Sequence, residues 1–168
     1  MKSVLKSKYS VLSSLDERDI EEIRPALSQE QINKREEHLG LALPESYKDF
    51  LLHCSGFCLF GGAVQLGSQH PFFHDFPKLD DLTQQQRRVV RQRGGSWPPP
   101  SNGMLCFAEY FLLADGDQIL FKIDEGLING EYPVYYYAHE ESPARVLKIA
   151  DSFAQWLNNY CVQQMQST

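Results

Sequence analysis

The sequence predicts an α+β domain, in which N-terminal helices precede a central antiparallel sheet and a C-terminal helix packs on that sheet. Three observations lead to this prediction. Two helices with their capping residues are encoded between Ser28 and Gly56, apolar segments of strand length separated by turns follow residue 103, and an amphipathic helix pattern closes the chain. At 168 residues, of which 42% are hydrophobic, the chain suits a single domain with one core.

The first predicted helix begins at Ser28. Gln31 follows three residues later, and the two form a capping-box pattern whose side chains satisfy backbone N–H groups that would otherwise have no partner. Ile32 and Leu39 should face the core. Gly40 should end the helix, because glycine readily takes the left-handed conformation common at helix C-termini.

A second helix follows at once. Pro44 suits a first helical turn, where its missing N–H would have had no partner in any case. The helical spacing of the next apolar residues indicates a buried face, and Gly56 closes the segment. The residues of that face are Tyr47, Phe50, Leu51 and Cys54.

The middle of the chain reads as a break in the pattern. A short strand over residues 63–66 precedes it, a polar helix over residues 80–91 lies within it, and glycines and prolines at 94–100 predict a loop. We therefore interpret residues 67–103 as a mobile insertion in a single domain that spans residues 1–168.

Beyond this insertion the pattern is that of strands. A strand over residues 104–108 precedes a hairpin, in which residues 110–114 and 118–123 flank the turn Asp115-Gly116-Asp117. A second turn at Asn129-Gly130 leads to a strand over residues 132–138. The last strand, residues 145–148, runs into the closing helix. The inward positions of that helix are Ile149, Ala150, Phe153, Trp156, Leu157, Tyr160 and Cys161.

Charge is unevenly placed along the chain. From Ser101 onward there are nine acidic and three basic side chains, a balance of −6 that equals the net charge of the whole protein. Because like charge repels phosphate and opposite charge steers association, this segment disfavours nucleic acid and favours a basic protein partner. Acids that only keep a small protein soluble are the alternative. The arginines at 87, 88, 91 and 93 are interpreted as a solvated helix face, with a docking stripe for an acidic partner or nucleic acid as the alternative.

Two separated parts of the sequence carry a family pattern. The first consists of Ile32, Glu36, Leu39, Gly40, Leu43, Pro44, Tyr47, Phe50, Leu51 and Gly56. The second consists of residues 134–137 followed by Ile149, Ala150, Ser152, Phe153, Trp156 and Leu157. In this order they resemble the opening helices and the closing strand and helix of the SUKH superfamily. That superfamily groups yeast regulators of cell-wall assembly with many bacterial immunity proteins.

The resemblance implies a protein that acts through protein contacts rather than catalysis. Bacterial members typically neutralise a cognate toxin by stoichiometric occlusion, so an immunity protein is expected, with a basic and often nuclease-like toxin as its partner. Tyrosines on a sheet face or rim would anchor this toxin, and carboxylates would set rate and register. The expected partner-binding residues are Asp115, Asp117, Glu131, Tyr135, Tyr137, Glu140 and Glu141.

Three alternatives remain open. Alternate residues of the strand around Tyr136 must face the core on at least one side, so some of its tyrosines have a structural role instead. A regulatory scaffold of the yeast cell-wall type is an alternative function. A small metal-dependent hydrolase built on cysteines and histidines is a further alternative.

A metal site has little support in the residue spacing. Cys54, Cys58, His70 and His74 approach a zinc-finger pattern, but Pro71 interrupts the helix that would have to carry both imidazoles. The aspartates at 115, 117 and 124 lack the spacing of a calcium loop. We expect no metal and no cofactor.

Catalytic motifs and targeting segments are also not evident in the sequence. His53 and Cys54 are adjacent, and successive helical side chains point about 100° apart, so they do not pair as base and nucleophile. Reduced, buried thiols are expected for the four cysteines. Lysines at 2, 6 and 8 interrupt the N-terminus, and no apolar run approaches the roughly 18 residues of a membrane span, so a cytoplasmic protein without a membrane partner is expected.

Overall fold

The computed structural model describes residues 2–60, 64–66, 103–110, 117–138 and 145–167. In chain order their elements are α1 (Lys2–Lys8), α2 (Ser10–Ser13), a 3₁₀ helix (Glu17–Asp19), β1 (Ile20–Glu21), α3 (Gln29–Leu39), α4 (Glu45–Leu51), β2 (Phe57–Leu59), β3 (Val64–Leu66), β4 (Met104–Tyr110), β5 (Asp117–Lys122), β6 (Val134–Ala138), β7 (Arg145–Ala150) and α5 (Phe153–Ser167). This order confirms the predicted α+β class. The predicted insertion lies outside the described residues apart from Gly103.

The seven described strands form one antiparallel sheet whose spatial order follows the chain. One local prediction was wrong: Tyr110 does not start a new strand. β4 continues through a register irregularity between Cys106 and Ala108, and Tyr110 pairs with Asp117. Asp117 is therefore the first residue of β5 rather than part of a turn, because pairing with β4 extends the strand past the aspartate.

The predicted caps of α3 are confirmed. Ser28 Oγ accepts from the Gln31 N–H at 3.2 Å, and Gln31 Oε1 accepts from the Ser28 N–H at 2.8 Å. Gly40 ends the helix with a φ of 68°. Glu36 then ties α3 to the next segment, since its Oε1 accepts from the Leu43 N–H at 2.7 Å. This bond gives a physical reason for a glutamate in the family pattern.

α4 presents the predicted face to the core, but Pro44 is its N-cap residue and the helix proper begins at Glu45. Aromatic rings from α4, α5, β4 and β5 meet at the centre of the fold. The Tyr47 ring lies 4.9 Å from that of Phe153, Phe107 stacks on Phe121 at 4.0 Å, and Trp156 meets Phe107 edge-on at 5.2 Å. The closing helix therefore packs on the sheet as predicted.

The start of α5 differs from the prediction. Ile149 and Ala150 belong to β7, where Ala150 pairs with Val134 on β6. The helix begins only at Phe153, after Ser152 Oγ accepts from the Gln155 N–H at 3.1 Å. Two apolar residues before a helix fit either a strand or a helix period, and here pairing with β6 decides in favour of the strand.

The N-terminal segment joins the core through contacts that the sequence pattern did not predict. Leu5, Leu12 and Leu15 are buried. The Tyr9 ring packs 6.1 Å from that of Phe50, and its hydroxyl donates to the Asp49 carboxylate at 3.3 Å. The N-terminal segment thus packs on α4 through Tyr9, and α2 also contacts α5.

Candidate functional site

The structure describes four of the seven predicted partner-binding residues. They are Asp117, Glu131, Tyr135 and Tyr137. The other three, Asp115, Glu140 and Glu141, lie outside the described residues. These four residues differ widely in exposure and in hydrogen bonding.

Asp117 and Tyr137 are interior residues, contrary to the expectation of an exposed face. Tyr137 has no exposed surface, and Asp117 accepts a hydrogen bond from the Tyr136 hydroxyl. Burial, with a smaller contribution from Asp117, raises the pKa of Tyr137. The reason is their place in the sheet: β5 and β6 lie between other strands, and the side chains of β5 are buried on both faces, so alternation along the strand leaves no solvent side there.

Glu131 fastens the loop that precedes β6 to the start of α4. Its Oε1 accepts from the Ser46 N–H at 2.8 Å, and its Oε2 accepts from the Ser46 hydroxyl at 2.8 Å. Ser46 Oγ in turn accepts from the Ala154 N–H at 3.2 Å. A carboxylate at a helix N-terminus satisfies orphan donors and interacts favourably with the helix dipole. Glu131 therefore has a structural role that joins three elements.

Tyr135 is half-buried and packs against the core. It pairs with Leu120 on β5 and Lys148 on β7. Together, the described members of the predicted set do not make one exposed surface.

Exposed apolar and acidic side chains lie instead in the β5–β6 loop, residues 123–133. It begins with a turn in which the Gly126 N–H donates to the Ile123 carbonyl at 3.1 Å. It then makes the predicted turn at Asn129-Gly130, whose φ values of 51° and 78° and paired bonds between Ile128 and Glu131 define a type I′ hairpin.

Between these two turns the loop displays aliphatic side chains. Leu127 is 37% exposed and Ile128 is 51% exposed. We call these two residues the apolar tip. Two adjacent large aliphatics in a surface turn differ from the single exposed apolar residues that are normal on proteins.

Carboxylates lie just before the apolar tip in the chain and on the helix end that is bonded to its loop, and we call Glu45, Asp124 and Glu125 the acidic rim. Lys122 Nζ lies 2.5 Å from Glu125 Oε1 and 3.6 Å from Asp124 Oδ1, while Lys48 Nζ lies 2.9 Å from Glu45 Oε1. The side chains of Lys48 and Lys122 are mostly covered along their length, whereas those of Glu45 and Glu125 are mostly exposed. The hydrogen bond to Glu125 raises the pKa of Lys122, and that to Glu45 raises the pKa of Lys48. Each carboxylate of the acidic rim is therefore paired with a lysine, and the three carboxylates exceed these two lysines by one negative charge.

Sequence reasoning missed the apolar tip. A signal for it was present: two large aliphatics directly precede an Asn-Gly dipeptide, which favours a tight exposed hairpin turn. Residues at such a turn have no sheet face to enter, so exposure follows from the turn.

The cysteines do not form a reactive centre. All four are free and buried, as predicted. Burial raises the pKa of Cys54, Cys58 and Cys161 to about 12, so these thiols are protonated at neutral pH and are poor nucleophiles. The His53 Nδ1 is occupied by the Asp49 carbonyl at 2.7 Å.

The described part of the chain holds neither a cluster of metal-binding side chains nor a helix that could span a membrane. Within the described ranges, no group of three or more histidine, cysteine or acidic side chains is arranged to hold a metal ion. His70 and His74 lie outside these ranges. Among the described helices, none combines the length and the apolar character that crossing a bilayer requires.

Comparison with known families gives a match over most of the chain. The model of the SMI1 / KNR4 family (SUKH-1) matches residues 26–159, which include α3, α4, β2 to β7 and the first half of α5. The chain belongs to this family. No curated protein matches the sequence. The family match begins after α1, α2 and β1.

Proposed function

We propose that this chain is a non-enzymatic immunity protein that binds a basic protein toxin in the cytoplasm and neutralises it by occlusion. The observation that carries the proposal is membership of the SMI1 / KNR4 family (SUKH-1), since the match covers most of the chain. The superfamily resemblance in the sequence suggests the immunity role, and the charge distribution suggests the kind of partner.

The described polar groups favour binding over catalysis. Glu131 and Glu36 hold backbone N–H groups in place, Asp117 is buried against a tyrosine, and three thiols are kept protonated by burial. Polar groups that are bonded or buried in this way stabilise the fold. The acidic rim is paired with Lys48 and Lys122, but Glu45 and Glu125 stay mostly exposed and can meet a partner.

Electrostatics supports a basic partner. The balance of −6 beyond Ser101 would attract a basic protein from a distance, and exposed carboxylates raise the association rate more than they raise affinity. The same charge would disfavour direct binding to nucleic acid.

The test uses the products of the genes that flank the one encoding this chain, each purified as an inactivated variant. We expect one of them to arrest growth when active, to be neutralised by co-expression of this chain, and to form a complex of defined stoichiometry. Growth arrest that persists despite soluble expression of this chain, for every flanking product that is toxic, would contradict the immunity role.

A charge-reversal variant tests the electrostatic part. The double substitution E140K/E141K replaces two negative charges by two positive ones just before Ser142-Pro143, so the net charge changes by +4. It should slow association, and more at low than at high salt, because salt screens attraction between exposed charges. An unchanged rate across salt concentrations would remove these two residues from the proposed interface.

A further inference from the structure

We infer that the apolar tip, Leu127 and Ile128, is an anchor that inserts into an apolar hollow rimmed by lysine or arginine on a protein partner. This inference rests on the proposed function, because it names the part of the surface that would meet the toxin. Three properties of the β5–β6 loop support it: exposure, rigidity and surrounding charge.

Exposure leaves both side chains available. Ile128 is 51% and Leu127 37% exposed, and Ile128 has the largest exposed fraction among the large hydrophobic residues of the described part of the chain. Removing such side chains from water is favourable, and complexes commonly draw most of their affinity from a few buried anchors. The tip can supply such an anchor.

Rigidity makes the tip ready to bind. The Glu45 N–H donates to the Gly130 carbonyl at 2.9 Å, and the Tyr132 hydroxyl donates to the Ala42 carbonyl at 3.0 Å. Glu131 adds its two bonds to Ser46. These bonds fix residues 130–132 to α4 and to the segment before it, and the paired bonds between Ile128 and Glu131 join the apolar tip to them. The tip therefore loses little conformational freedom when a partner binds, which lowers the cost of association.

Surrounding charge selects the partner. Glu45, Asp124 and Glu125 lie on the loop or on the helix end that holds it, and their lysine neighbours are mostly covered. An apolar anchor inside an acidic rim complements a hollow whose own rim is basic, and it rejects an acidic one. A basic protein surface with an apolar depression is thus the occupant that the charges favour.

The experiment compares two double variants with the wild-type chain. L127S/I128S removes the apolar tip. L52S/V162S is the matched control, because Leu52 and Val162 are 41% and 36% exposed and lie at the end of α4 and in the C-terminal half of α5, away from the loop. Substitutions at exposed positions should keep each melting temperature within about 2 °C of wild type.

Binding is measured against the inactivated flanking-gene product that the wild-type chain neutralises. L127S/I128S should weaken the Kd by about tenfold to a hundredfold, mainly through faster dissociation, whereas L52S/V162S should leave it unchanged. E125K should instead slow association, and more so at low salt.

The outcomes separate this inference from the proposed function. If wild type and L127S/I128S bind equally well, or if both double variants lose affinity equally, the tip is not the anchor although the immunity role stands. If the wild-type chain binds and neutralises none of the flanking products, both the immunity role and the anchor are overturned.

Discussion

Glu131 and Glu125 lie six residues apart in the same loop, yet they do opposite things. Glu131 turns inward and holds Ser46 at the start of α4, whereas Glu125 turns outward and leaves its carboxylate mostly in solvent beside Lys122. In the net charge of the sequence the two glutamates count equally. The difference shows that the acids of this segment divide into groups that hold the fold and groups that the fold displays.

The same division applies to apolar side chains. Trp156 and Phe107 pack in the aromatic centre below α4, while Leu127 and Ile128 stand in solvent on a loop attached to that helix. The interior provides a stable support and the loop provides a surface. Substitutions in the interior and in the loop should therefore have separate effects on stability and on binding.

Loss of Trp156 should damage the support most. Its ring meets Phe107 edge-on at 5.2 Å and stacks near Tyr160 at 6.0 Å, so Trp156→Ala leaves a large cavity. We expect a loss of about 3–5 kcal/mol in the free energy of unfolding. Denaturant titration measures it, and an unchanged midpoint would show that α5 does not depend on this packing.

Loss of Glu131 should cost less, but much more than loss of Glu125. Glu131→Ala leaves the Ser46 N–H and hydroxyl without their acceptor, which should lower the free energy of unfolding by about 1–2 kcal/mol. Glu125→Ala should change it by less than about 0.5 kcal/mol, because exposed ion pairs contribute little. Equal effects in matched urea titrations would refute the division between holding and displayed acids.

Local sequence chemistry was sufficient to predict the parts of the fold that short-range rules govern. The Ser28 capping box, the left-handed Gly40 and the Asn129-Gly130 turn each depend on residues close together in the chain. The N-terminal helices escaped prediction because seven and four residues are too few to show a helical period, and their stability comes from packing on α4 and α5.

The candidate site was harder to predict because it depends on tertiary position. Asp117 and Tyr137 have the residue types of a binding surface, but their strands lie within the sheet and are covered. Glu131 finds its partner Ser46 at a separation of 85 residues, which no local pattern shows. Exposure of Ile128, by contrast, follows from its turn.

Buried thiols should make the stability of the interior sensitive to alkaline pH. The folded pKa values of Cys54, Cys58 and Cys161 are raised to about 12 from the ordinary value of 9.0. Their contribution to stability is therefore fully present below pH 9 and is lost as pH rises from 9 towards 12, since only the unfolded chain ionises easily. In this range each buried thiol should lower the free energy of unfolding by up to about 1.4 kcal/mol per pH unit.

Urea titrations between pH 8 and 10 check this dependence, because tyrosines, with an ordinary pKa of 10.0, contribute less in that window. Cys161→Ala should reduce the slope above pH 9 by one thiol's share while keeping its sign. A stability that is flat or rising from pH 9 to 10 would contradict the burial of these groups.

A small difference in stability should separate substitutions at two glycines in the displayed loop. Gly126 and Gly130 both have left-handed φ values, 74° and 78°, so alanine at either position should cost about 1 kcal/mol of backbone strain. An added Cβ at Gly130 would also lie 3.0 Å from Glu45 Cγ, whereas one at Gly126 meets nothing within 4 Å. Because Glu45 is mostly exposed and can rotate, Gly130→Ala should exceed Gly126→Ala by less than about 1 kcal/mol in paired urea titrations. A much larger excess would mean that strain at the turn passes into α4 through the Glu45 N–H bond to Gly130, so that the displayed loop and its support act as one unit rather than two.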